Sequence, residues 1–148
     1  MPETGHNWGA WVFAKDDGGT DWDADLLADD GGAGPGSTGT ETSNTSIDLD
    51  TKSACEVGIA LSEDNTGAID GVVTVYVLGS GGGIADEQTD IGNAWAFTIT
   101  PVQNDTVYTR FHVSPAVYGD FKIAVWNASG QQLAVSVKYR TATVPLAS

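Results

Sequence analysis

Apolar residues recur at every second position through the back half of the chain: Val107, Phe111 and Val113, then Phe121, Ile123 and Val125, then Leu133, Val135, Val137 and Tyr139. A period of two, carried by β-branched and aromatic residues, predicts half-buried strands, because successive side chains of a strand point to opposite faces of a sheet. Asn127-Ala128-Ser129-Gly130 separates the last two runs. Those residues suit a tight hairpin turn with Gly130 in the left-handed conformation, so three consecutive antiparallel strands are expected. Upstream, Ala54 to Leu61 alternates with Cys55, Val57, Ile59 and Leu61 on one face, and Gly71 to Leu78 is apolar on both faces, as in a central strand. Ala94 to Thr100 places Trp95, Phe97 and Ile99 inward, and Pro101 ends it because proline donates nothing to a ladder. With Asn7 to Ala14 and Ile47 to Asp50, the pattern predicts an all-β, two-sheet antiparallel sandwich of seven or eight strands, jelly-roll or immunoglobulin-like, in one domain over residues 1–148.

The front half breaks the pattern. Residues 15–46 form an acidic and glycine-rich excursion. Within it, Trp22 to Ala28 reads as one short helical turn behind an Asp21 cap. Residues 31–46 hold few apolar groups to offset the entropy of ordering and read as a long loop or flexible arm. Residues 1–11 read as a second arm. The formal charge is −14, and residues 1–74 hold fifteen of the twenty acids and two of the six bases. Phosphate contacts need a basic patch and none is visible, so nucleic acid is excluded as a partner. No apolar run reaches the length of a membrane-spanning helix. Cys55 is the single cysteine, which rules out an intrachain disulfide and suits a small core residue. Met1-Pro-Glu-Thr-Gly-His lacks the basic start and apolar stretch of a signal peptide, so synthesis in the cytosol is expected.

Candidate chemistry is sparse. Asp21-x-Asp23-x-Asp25 begins like a calcium loop, but Leu26 and Gly32 stand where an EF-hand needs Gly and Glu. A solvated acidic loop is the stronger reading of those three aspartates, and no metal or cofactor is expected. His112 reads as a strand-surface histidine, and no nucleophile-elbow motif is present. The run Gly79 to Gly83 lacks the ending of a phosphate-binding loop and reads as a hairpin loop. The expectation is a protein that is not an enzyme. Tryptophan is the notable residue type: Trp8, Trp11, Trp22 and Trp126 are candidate interface residues, since aromatics bury much area with few rotors. Trp126 is also the residue on which a carbohydrate-binding alternative rests.

The segment Tyr108-Thr-Arg-Phe-His-Val-Ser-Pro-Ala-Val-Tyr-Gly-Asp-Phe-Lys-Ile-Ala-Val-Trp-Asn-Ala-Ser-Gly resembles the closing strands of small β-sandwich virion proteins of tailed bacteriophages, with a weaker likeness reaching back to Gly71. The resemblance implies a capsid decoration (cement) protein that assembles as a homotrimer, binds the major capsid protein, bridges capsomers and resides in the virion. A tail or fibre subunit is the alternative within that class.

Overall fold

The computed structural model describes residues 5–36, 38–64, 67–79 and 95–144. Among the described residues, eleven strands occur in chain order: β1 Asn7–Trp8, β2 Val12–Phe13, β3 Asp25–Leu27, β4 Thr40–Thr42, β5 Ile47–Asp48, β6 Ala54–Ser62, β7 Val72–Gly79, β8 Trp95–Ile99, β9 Thr106–Val113, β10 Asp120–Ala128 and β11 Leu133–Thr143. They form two antiparallel sheets. In the first, β11 pairs with β6 and β6 with β9, while β1, β2 and β3 lie end to end along the other edge of β11. In the second, β10 pairs with β7 and β7 with β8, and β4 and β5 share the far edge of β10.

Counting the short segments as the first two positions gives eight strand positions. Four nested pairs join the first to the eighth, the second to the seventh, the third to the sixth and the fourth to the fifth. The two further pairings, β11 with β6 and β10 with β7, are those made when such a nested hairpin is rolled into a sandwich. This is a jelly roll.

The inner faces make one core, to which Val57, Ile59, Leu61, Val135 and Val137 contribute from the first sheet and Val73, Val75, Val77, Ile123 and Val125 from the second. Cys55 belongs to it, and burial pushes its thiol up to about 12. The two-sided β7 is explained by a second, smaller cluster of Tyr76, Leu78 and Ala124 on the opposite face of its sheet, against which Trp126 packs.

Several expectations are corrected. β9, β10 and β11 do not pair with one another: each connection crosses between the sheets, so the turn after β10 is no hairpin, although Gly130 does take φ 89°. Trp22 to Ala28 makes no helical turn. Ala24 stands at φ 54°, outside the helical region, and β3 follows at once. Asn7 to Ala14 splits into β1 and β2. Residues 5–11 of the expected arm are held on the sheet, Asn7 opposite Thr143 and Trp8 opposite Ala142. The glycine-rich stretch, read as an arm, contains β4 and is fastened by polar contacts rather than apolar burial. The Asp30 carboxylate accepts from the backbone N–H of Gly32 (2.9 Å) and Gly34 (3.3 Å) and from the Trp126 indole (2.8 Å). Gly39, at φ 81°, passes so close to Asp30 that a Cβ would lie 2.7 Å from its backbone. Of the Gly79 to Gly83 loop, only Gly79 is among the described residues, and it ends β7.

Candidate functional site: a groove on the first sheet

The last three outward residues of β6 are Gly58, Ala60 and Ser62, and the register sets them beside Lys138, Ser136 and Ala134 of β11 and Arg110, Tyr108 and Thr106 of β9. Small side chains thus fill the middle of this face and larger ones rise at its sides. Trp11 and Phe13, the latter opposite Lys138, form one wall, and Tyr108 and Arg110 form the other. The result is a groove of about 530 Å³, within the range of small-molecule and oligosaccharide sites. Tyr108 is 78% exposed although it is aromatic, and Lys138 lies with its Nζ 4.5 Å from the Phe13 ring centre. Asp23 and Ala24 close the rim near Ser136, whose hydroxyl accepts from the Ala24 N–H at 2.8 Å.

One end of the groove is built on charge. Glu56 is only 5% exposed, yet Arg140 donates to its Oε2 through Nε (3.2 Å) and a terminal nitrogen (2.8 Å). Arg110 Nε stands 3.3 Å from Oε1. The bonds from Arg140 hold the Glu56 carboxyl below its ordinary range, against the opposing effect of burial. The Arg140 guanidinium also sits 4.4 Å from the ring centre of Trp8 and 4.9 Å from that of Trp11. Trp8 and Trp11, expected at an interface, are therefore half-buried partners of an arginine on this face. Trp8 also neighbours His112, ring centres 6.4 Å apart.

The other expected site residues are scattered. Trp22, expected at an interface, is fully buried in the core. Its N–H donates to Ala14 O (2.9 Å) and its carbonyl accepts from Val137 N–H (3.0 Å), a clamp that drives the indole between the sheets. Trp126 is half-buried, with its indole N–H already committed to Asp30. Trp95, expected inward, is 48% exposed at the rim of the sandwich, where it meets Phe97 and Phe111. Asp21, Asp23 and Asp25 make three separate sets of contacts, and left-handed Ala24 lies between the last two. Asp21 pairs with Lys15 at 2.7 Å, Asp23 lines the groove, and Asp25 turns to Asp16. Among the described residues no three of His, Cys, Asp or Glu come together to hold a metal ion.

Sequence reasoning passed over Phe13, Glu56, Gly58, Tyr108, Arg110 and Lys138. A signal was present: Val57, Ile59 and Leu61 point inward, so the intervening Gly58, Ala60 and Ser62 form an outward row too small to pack against anything. What the row faces depends on register.

A second group of acids gathers where the sheets meet. Glu41 of β4 is 9% exposed, and its Oε2 has no hydrogen-bond partner. Burial first, then the charges of Asp17, Asp25 and Asp16, push its carboxyl up to about 7, against a weaker lowering by the Trp22 indole. Burial, then the contact with Asp16, raises Asp25 to about 6. The folded chain thus keeps protons at a pH where the unfolded chain, whose carboxyls titrate in the ordinary range, has lost them. Stability from these groups is fully present below about pH 4 and is lost as pH rises through about 6 to 7. Asp16, Asp30 and Glu56, held low by their hydrogen bonds, act oppositely, and their contribution is lost as pH falls below about 4. Melting curves are expected to peak at about pH 4 to 4.5. Glu41→Gln should flatten the loss between pH 5 and 7.5, raising stability at the upper end by about 1–2 kcal/mol, or about 3–6 °C. An unchanged slope would remove Glu41 as its source.

No protein-family model matches this chain, and no curated protein sequence matches it.

Proposed function

We propose that the protein is a structural, non-enzymatic subunit of a tailed-phage particle, a capsid decoration protein that self-associates as a trimer and bridges capsomers. The observation that carries this reading is the side on which both sheets end. Among the described residues, β8 and β9 have no second strand partner. They lie side by side, with the Phe97 and Phe111 rings 4.8 Å apart and Trp95 half out of the sandwich above them. Val117, in the turn after β9, is 73% exposed. Two adjacent open edges with exposed apolar side chains would be an aggregation hazard in a monomer and are a natural seam between subunits. The likeness of residues 108–130 to phage virion proteins supports the same reading, and the sandwich supplies the rigid frame that a bridging subunit requires. Binding to the assembled shell alone would then stabilise that shell by mass action.

Light scattering is expected to give about three times the 15.3 kDa chain mass, with Trp95→Asp reducing it toward the monomer. A monomeric wild-type mass would rule out the free trimer, and absence of the protein from purified particles would rule out the virion role.

A further inference from the structure

We propose that the groove on the outer face of the first sheet is a binding site for an acidic oligosaccharide, one carrying uronate or sialate carboxylates. This goes beyond the virion reading and does not depend on it.

Shape selects the first property. The floor, Gly58 to Ser62, runs about 13 Å at ~3.3 Å per residue. The flanking strands β2 and β9 stand three strand spacings apart, about 14 Å before their side chains narrow the space. That is a trough for a short chain of rings. Its walls are Trp11 and Phe13 on one side and Tyr108 on the other, and aromatic faces stack on the C–H faces of pyranoses. The floor carries the Ser62 and Ser136 hydroxyls, and Asp23 stands at the rim, so the trough also offers hydrogen bonds suited to sugar hydroxyls.

Charge selects the second. The chain carries −14, with only six lysines and arginines. Three of them, Arg110, Lys138 and Arg140, are outward residues of this one sheet, and they outnumber the nearby acids Glu56 and Asp23. Arg140 is consumed by Glu56 and the two tryptophans, but the Arg110 side chain remains 67% exposed. Lys138 touches Phe13, and among the described residues no carboxylate pairs with it. An anion repelled by the rest of the molecule finds here two cations beside stacking surfaces, where a carboxylate gains charge-assisted bonds. A neutral glycan would leave that complementarity unused.

The test is calorimetry and tryptophan emission with tetragalacturonate and sialyllactose, against cellotetraose and lactose as neutral counterparts. Binding of at least one acidic probe at about 1 mM or tighter is expected, weakening with salt and at least tenfold weaker for its neutral counterpart. Tyr108→Ala and Lys138→Ala, both exposed and outside the core, should each reduce affinity about tenfold without moving the melting temperature, while Trp126→Phe on the other sheet should leave it unchanged. Blank titrations with both acidic probes, equal affinity for the neutral ones, or binding indifferent to both groove variants would overturn the proposal. So would occupation of the groove by a second copy, seen as a concentration-dependent mass that Tyr108→Ala abolishes.

Discussion

Replacing Trp22 by alanine is expected to lower stability by about 3–5 kcal/mol, the range for a fully buried aromatic cut to a methyl group. Trp22 heads the fully buried side chains by size, and it is a core member contributed by the loop between β2 and β3 rather than by a long strand. Its removal opens a void bounded by both sheets. The main-chain bonds of residue 22 to Ala14 and Val137 are open to alanine as well, so the loss reports the indole's burial. In urea the midpoint should fall by roughly 1.5–2.5 M, given a slope of about 2 kcal/mol/M for a domain of this size. Trp22→Phe should cost less than half as much, because it keeps most of the apolar volume. A midpoint shift below about 0.5 M for Trp22→Ala, with a change in association instead, would return the residue to an interface.

Trp22 also shows where the sequence was legible and where it was not. The strands of five residues and more, β6 to β11, follow the alternation of Val, Ile, Leu and aromatics, because such runs span enough residues for a period of two to be seen. The five N-terminal strands have two or three residues each, too few to display any period. They exist because the backbone edges of β11 and β10 hold them, and those edges lie far away in sequence. The same limit explains the missed crossings. Alternation states which side chains point inward, but both sheets share one core, so it leaves open which sheet a strand joins. For the groove, the small outward row of β6 was visible, whereas the walls from β2 and β9 emerge only once the register is known. The glycine-rich stretch misled for a further reason: its order comes from carboxylate-to-backbone bonds at Asp30, which composition does not reveal.

Asn127, a turn former by sequence, is a wholly buried residue of β10, and Asn127→Ala is expected to cost about 3–4 kcal/mol. Its amide nitrogen donates to Leu27 O (3.0 Å) on the first sheet and to Gln131 O (2.7 Å), and its Oδ1 accepts from the Ser129 N–H (3.1 Å) and hydroxyl (2.6 Å). One side chain therefore fastens the two sheets together and shapes the turn that carries the chain from one to the other. Alanine removes four bonds and takes the side-chain donor from the buried Leu27 carbonyl, while Gln131 O keeps the Ser129 hydroxyl (3.2 Å), which is why the cost exceeds that of one hydrogen bond. Asn127→Asp should be worse still, since it sets an acceptor against Leu27 O and Gln131 O in a site without water access. Ser129→Ala should cost only about 1 kcal/mol, and the double variant with Asn127→Ala should fall short of the sum because the two share a bond. Denaturant midpoints of the four proteins check this directly. Additive losses, or an Asn127→Ala cost below about 1 kcal/mol, would show that main-chain pairing alone holds the turn.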